Sequence, residues 1–312
     1  MDTLTRADVE AAADRLAGNV RRTPVLAVEA GVVGPGPVTL KLEHLQHTGS
    51  FKARGALSAL LDAGRLPASG VVAASGGNHG LAVAWAASRL GVKATVFVPA
   101  TAPSSKVNGL RVLGADVRLA GERYADALAA CVEHQLGSGS LAVHAYDDPA
   151  VVAGQGTVGL ELAGQVDGAD TVLVAVGGGG LAGGVAAALT DRTRVVGVEP
   201  EGCPTWSGAR AAGRPVDVEV GGIGADALGA TRLGEVGWRV LSEAGALSVL
   251  VGPDDVLRAR RLLWDRLRLA VEPGGAVAAA ALISGAYVPD DGERVAVVLC
   301  GANADPADLT RA

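Results

Sequence analysis

Apolar residues along this chain gather in short unbroken runs, and most runs lead into a longer stretch with apolar positions at helical spacing. Residues 70–74, 94–99, 171–176, 194–199 and 294–299 are such runs, rich in Val, Ala and Leu. Their length and composition predict strands buried on both faces, as in a parallel sheet. Shorter strands are predicted at 38–43, 116–119 and 141–144. Helices are predicted at 5–16, opened by a Thr5 or Asp8 cap, and over 81–90, 104–113, 124–136, 156–163, 181–189, 254–269 and 275–283. A further helix follows Lys52, through Ala53 to Leu61. No tandem repeat is present, and the stretch 202–237 is glycine-rich and hard to assign. Alternating strands and helices make this an α/β pattern, with parallel sheets covered by helices.

Composition narrows the function classes. The 312 residues are 49% apolar and 19% charged, enough for one large or two moderate folded domains and unlike a disordered chain. A net charge of −6 with no basic stripe predicts no nucleic-acid partner. Cys131, Cys203 and Cys300 lie far apart, without zinc-ligand spacing, as expected of a reducing, cytoplasmic location. The polar start, Met1 to Asp8, is unlike a signal peptide. The uncharged run from Thr171 to Thr190 has the length of a membrane span. Four consecutive glycines within it fit a strand, a loop and a small-residue helix better, so no membrane partner is expected.

Three glycine-rich turns carry candidate chemistry, and turns after strands are where ligands bind in open α/β sheets. Gly177-Gly178-Gly179-Gly180-Leu181 joins a buried strand to a helix. Without side chains, several N–H groups can close on one anion, aided by the positive end of the helix dipole, so the turn reads as a phosphate cradle. The spacing Gly178-x-Gly180-x-x-Gly183, with Glu199 ending the next strand, also matches a dinucleotide fingerprint. A nicotinamide-dependent dehydrogenase is therefore a rival reading, one that leaves Lys52 without a task. Ser75-Gly76-Gly77-Asn78-His79-Gly80 offers donors apt for a carboxylate or a ring hydroxyl, although His79 alone reads equally as a structural histidine. Gly154-Gln155-Gly156-Thr157 reads as another helix start. Lys52 is one of four lysines against twenty-three arginines. An amine in an apolar, water-poor site loses its proton readily and can form a Schiff base. Beside a phosphate cradle, the carbonyl cofactor that fits is pyridoxal phosphate.

A series of short motifs runs along the chain in order: Lys41-x-Glu43-x-x-Gln46-x-Thr48-Gly49-Ser50-Phe51-Lys52-x-Arg54-Gly55-Ala56, Ser75-x-Gly77-Asn78-His79, Ala102-Pro103-x-x-Lys106, Gly154-Gln155-Gly156-Thr157, Gly177 to Gly180, Val198-Glu199-Pro200, Glu272-Pro273 and Cys300-Gly301-x-Asn303. They cover residues from about 20 to 303. In them the chain resembles the fold-type-II pyridoxal-phosphate enzymes, within these the serine/threonine dehydratase (threonine ammonia-lyase) and serine racemase family. The resemblance implies an α/β fold like that of the tryptophan synthase β chain. Two open, twisted, mostly parallel sheet domains would hold the cofactor in the cleft between them. The large domain would combine 1–60 with 148–312, and a small mobile one, 61–147, would close over the substrate. A homodimer is implied too. Lys52 would hold the cofactor as a Schiff base and then act as the base at the substrate Cα. Gly177 to Gly180 with Leu181 would bind the cofactor phosphate and Asn78 its ring hydroxyl. Cys300 would face the pyridine nitrogen, Glu272 would lie near the ring, and Phe51 would complete the cofactor site. Ser75, Gly77, Asn78 and His79 would receive the substrate carboxylate, and Tyr146 would face the substrate side chain.

The implied activity is α,β-elimination of a β-hydroxy amino acid, such as L-threonine or L-serine, to a 2-oxo acid and ammonia. A thiol at Cys300 cannot hold a pyridinium as an aspartate can, which suits elimination better than a long-lived carbanion. Serine racemases usually carry a serine where this chain has Gly76, so racemisation is expected to be poor. Six residues after Glu199, metal-dependent members place an aspartate; here Thr205 stands, so no metal is expected and chelation should leave activity unchanged. Alternatives are a serine or hydroxyaspartate racemase and a dehydratase of an unusual 3-hydroxy amino acid such as 3-hydroxyaspartate or phenylserine. Cysteine synthases are set apart by Phe51 and Ala53 beside the lysine. The chain's end near residue 312 predicts no feedback inhibition by isoleucine.

Overall fold

The computed structural model describes residues 3–189 and 193–309, so Thr190, the end of the uncharged run, lies outside the described residues. Six strands form one sheet in the order β1-β2-β10-β7-β8-β9: β1 (Val25–Val28), β2 (Val38–Lys41), β7 (Thr171–Ala175), β8 (Arg194–Pro200), β9 (Leu247–Val251) and β10 (Val295–Val298). Four more, β3 (Val71–Ala74), β4 (Ala94–Val98), β5 (Asp116–Leu119) and β6 (Leu141–Ala142), form a second sheet in the order β5-β4-β3-β6. Only β1 runs antiparallel to its neighbour; every other pairing is parallel. Strands β4, β7 and β10 are buried at every position. That is why their sequences show no polar alternation: helices cover both faces.

The covering helices of the smaller sheet are α3 (Asn78–Arg89), α4 (Ser104–Val112) and α5 (Tyr124–Ser138). Around the larger sheet lie α1 (Arg6–Leu16), α2 (Lys52–Asp62), α6 (Pro149–Ala163), α7 (Gly180–Ala188), α8 (Thr205–Ala212), α9 (Ala225–Leu228), α10 (Glu235–Glu243), α11 (Pro253–Leu267) and α12 (Pro273–Ser284). The Thr5 cap of α1 is present as a capping box shared with Asp8. No helix among the described residues is long and apolar enough to cross a membrane.

One expectation is corrected, and two features are added that the sequence reading left unassigned. Helix α6 starts seven residues earlier than its periodicity predicted. The Asp148 carboxylate accepts from the Ala150 and Val151 N–H groups at 2.8 and 3.1 Å, and Pro149 takes the first helical position. Gly154-Gln155-Gly156-Thr157 is therefore mid-helix, not a helix start. Its glycines serve close packing: a Cβ on Gly154 would lie 2.5 Å from the Ser58 Cβ, and one on Gly156 2.6 Å from the Gly184 carbonyl oxygen. Gln155 accepts from the Gly55 N–H at 3.2 Å. The stretch 202–237 contains α8, α9 and the start of α10. The edge strands β1 and β9, partly exposed and therefore weakly patterned, were not predicted.

Candidate active site

Lys52 opens α2, and that corner is fixed from several sides. The Phe51 N–H donates to the Cys300 carbonyl at 3.1 Å, and an isolated bridge pairs Ser50 with Gly301. Two residues into α2, Arg54 is wholly buried between two carboxylates. Its Nε and Nη2 meet Glu43 at 2.5 and 3.0 Å, and its Nη1 and Nη2 meet Glu161 at 2.8 and 2.9 Å. Lys41, also buried, adds Nζ at 2.8 Å from Glu161. Two cations and two anions balance in this cluster, so each buried charge has a partner. The motif residues Lys41, Glu43 and Arg54 are thus the footing of Lys52.

The Lys52 amine donates to the Ala145 carbonyl at 2.7 Å. Burial pulls it down to about 8, with Cys300 acting the other way. An amine of that pKa is about one tenth neutral at pH 7, far more than a solvated lysine.

The tetraglycine turn connects β7 to α7. Its carbonyls are occupied: Gly177 by the Thr205 hydroxyl at 2.5 Å, Gly178 by the Gly234 N–H at 3.1 Å, Gly179 by the Gly183 N–H at 2.8 Å. The N–H groups of Gly178, Gly179, Gly180 and Leu181, by contrast, donate to no protein acceptor among the described residues. Four orphan donors at a helix start are an anion site. Gly179 holds φ at +86°, open to glycine alone without strain. The Tyr146 ring lies directly on Gly178, where a Cβ would collide with it, and the Tyr146 backbone crowds Gly180 in the same way.

The second turn follows β3 and starts α3. The Asn78 and His79 N–H groups also find no protein acceptor, while Gly77 N–H donates to the Ser75 hydroxyl at 3.2 Å. The His79 imidazole is committed elsewhere, with Nε2 2.9 Å from the Val143 carbonyl. Burial, with the nearby Lys52 charge, pushes it down to about 3, so the ring stays neutral. What this turn offers an anion is backbone N–H, not imidazolium.

Asn78 joins the two sheets. Its Nδ2 donates to Glu272 at 2.6 Å, and its Oδ1 accepts from Asn303 at 2.6 Å; Asn303 also donates to the Thr48 carbonyl at 2.7 Å. Burial raises the Glu272 carboxyl to about 7. Cys300 follows β10 by two residues, its thiol 3.6 Å from the Gly274 carbonyl, and burial pushes it up to about 12, so it remains a thiol. Sequence reasoning gave Asn303 and Ala145 no task; only the presence of Asn303 in a matched motif hinted at one.

The donor set fits pyridoxal phosphate. It has a desolvated amine for the carbonyl, four orphan N–H groups for the phosphate and a neutral thiol for the pyridine nitrogen. It does not fit the dinucleotide reading. Glu199, required there on a ribose, is fully buried and accepts from the Trp206 and Ser207 N–H groups at 2.7 and 2.9 Å, with the Thr205 hydroxyl oxygen 3.0 Å away. Among the described residues no group of three or more His, Cys, Asp or Glu could hold a metal ion.

Known proteins agree with the geometry. A family profile described as "Pyridoxal-phosphate dependent enzyme" matches residues 16–301. The chain is 38% identical to the L-threonine ammonia-lyase of Geobacter sulfurreducens over 95% of its own length and 75% of that protein. It is 39% identical to the phenylserine dehydratase of Ralstonia pickettii over 100% of its length and 98% of that protein. Maize serine racemase superposes with a TM-score of 0.91 at 29% identity, covering 99% of this chain and 96% of that one. With a matching fold, a matching family profile and a site whose donors suit the cofactor, this chain belongs to the pyridoxal-phosphate dependent enzymes, of fold type II.

Proposed function

We propose that the protein is a lyase that removes water from a β-hydroxy amino acid of the threonine or serine kind, releasing an enamine that takes water back to give a 2-oxo acid and ammonia. The reading is carried by a desolvated lysine amine bonded to the Ala145 carbonyl, next to the Tyr146 that packs on the glycine turn, together with two sets of orphan N–H groups, one suited to a phosphate and one to a carboxylate. When bound, pyridoxal phosphate supplies the electron-withdrawing ring that weakens the substrate Cα–H bond. The remaining work falls to side chains and backbone of this chain. Lys52 would hold the cofactor and, as a free amine, would take the Cα proton on Nζ; its lowered pKa keeps the neutral form accessible. The N–H groups of Gly178 to Leu181 hold the phosphate, and those of Asn78 and His79, with the Ser75 hydroxyl and the Gly77 backbone, receive the substrate carboxylate. Asn78 would meet the ring hydroxyl, Phe51 would complete the cofactor site and Glu272 would lie near the ring. Cys300, held as a thiol by burial, would face the pyridine nitrogen without the charge that would keep a proton on it. Tyr146 borders the substrate side chain.

Residues 61–147 form, in this reading, a small domain that closes on the substrate and excludes water, and the rest a large cofactor-binding domain. A homodimer and a cytoplasmic location follow from the family resemblance and the cysteine pattern. The racemase alternative rests on the serine racemase likeness but meets an obstacle at Gly76. Nothing with a proton to give stands there, and a Cβ would meet only Val98, at 3.5 Å.

The test is a panel of L-threonine, L-serine, phenylserine and 3-hydroxyaspartate assayed for 2-oxo acid release and for change of chirality. Ketoacid from at least one substrate, outpacing inversion by tenfold or more, is expected. Inversion at the faster rate would make the protein a racemase.

A further inference from the structure

The cradle glycines are held by groups behind them. A trans peptide points its C=O and the N–H that follows in opposite directions. Whatever takes a loop carbonyl therefore also aims the next N–H. Gly178 and Gly179 have their carbonyls taken by backbone, but the Gly177 carbonyl is taken by a side chain, the Thr205 hydroxyl at 2.5 Å. Thr205 is fully buried on the first residue of α8. Its oxygen lies 3.0 Å from Glu199 Oε1, and the Glu199 carboxyl in turn accepts from the Trp206 and Ser207 N–H groups at 2.7 and 2.9 Å. Glu199, at the end of β8, thereby fixes the first turn of α8 and with it the hydroxyl. On the other side Gly177 abuts the Leu228 backbone, where a Cβ would come within 2.9 Å of the Leu228 Cα.

We propose that Thr205 is a positioning residue for phosphate recognition: by holding the Gly177 carbonyl it turns the Gly178 N–H toward the anion, and Glu199 keeps Thr205 in place. Thr205 touches neither cofactor nor substrate. The proposal rests on the cradle reading above and adds to it the residue that sets the cradle's shape. A simple helix-capping role for Thr205 would affect stability alone, whereas a positioning role discriminates between ligands with and without a phosphate.

Cofactor-free protein carrying Thr205→Val, which keeps the shape and loses the hydroxyl, and Thr205→Ser, which keeps the hydroxyl, is titrated with pyridoxal phosphate and with pyridoxal. Visible absorbance reports binding to Lys52, and melting curves are recorded alongside. The valine variant is expected to weaken pyridoxal phosphate by about tenfold, the effect of one well-placed hydrogen bond, while pyridoxal changes less than twofold. The serine variant is expected to stay within threefold of wild type for both. Unaltered phosphate-dependent affinity in Thr205→Val, an equal loss for both compounds, or a serine variant as impaired as valine overturns the proposal. If Thr205→Val does not fold, Glu199→Gln undergoes the same titration, and equal losses for the two compounds again overturn it. A wild-type chain that takes up neither compound removes the cofactor assignment itself, a failure separate from the one above.

Discussion

A solvated lysine is almost wholly protonated at pH 7, and Lys52 is not, because its amine is desolvated while its one protein partner is the neutral Ala145 carbonyl. Only the neutral amine attacks a carbonyl. The folded-state pKa lies near 8, so capture of pyridoxal phosphate by the cofactor-free protein is expected to speed up about tenfold per pH unit below that value and to level off above it. Stopped-flow absorbance from pH 6 to 9.5 checks this; a limb still rising beyond pH 9.5 would mean an ordinary lysine. Lys52 was singled out in the sequence because an amine at a loop-to-helix junction accompanied a glycine-rich turn, and the structure places that amine in a desolvated position. The task of His79 was only half legible. A histidine in a polar turn reads as a ligand, yet the ring spends its Nε2 on the Val143 carbonyl, a contact between distant residues that no local pattern encodes. Asn303 was invisible for the same reason: its partners Asn78 and Thr48 are more than two hundred residues away in sequence.

Helices α2, α6 and α7 pack through their glycines. Gly154 meets Ser58 and Gly55, Gly156 meets Gly184, and Gly159 meets Ala188. Sequence reading took the pair Gly154 and Gly156 for a helix start, since glycines punctuate chains, whereas here they let α6 approach its neighbours. A methyl at Gly154 would push α2, and therefore Lys52. Gly154→Ala is expected to cost about 1–3 kcal/mol of stability and to lower kcat more than it raises KM, read by melting curves and steady-state kinetics. A variant with wild-type melting and turnover would show that the contact gives way freely. The strands buried on both faces were plain in the sequence. The edge strands β1 and β9 were not, because half-exposed residues dilute the apolar run, and α8 to α10 hid behind glycines that break helical periodicity.

Across the whole molecule, the reactive groups converge from distant parts of the chain: Lys52 after β2, the Ser75 turn after β3, the glycine cradle after β7 and Cys300 after β10. Strand ends of parallel sheets place such loops side by side, which is why the motif order alone made the fold legible. Where the two sheets meet, Lys106 on α4 lies 3.7 Å from Asp226 on α9, both partly exposed, and Asn78 bridges to Glu272. Glu199 gives its oxygens to the start of α8, so its carboxylate is spent without a cation. Exhaustive chelation is expected to leave turnover within twofold; a larger loss restored by a divalent ion would contradict that. The claim beneath the whole account is that pyridoxal phosphate is bound covalently by one particular amine. Borohydride reduction of the holoenzyme followed by peptide mass mapping tests it most directly, because the chain offers only four lysines. A pyridoxyl label on Lys52 alone is predicted; a label on Lys41, Lys93 or Lys106, or none at all, would contradict it.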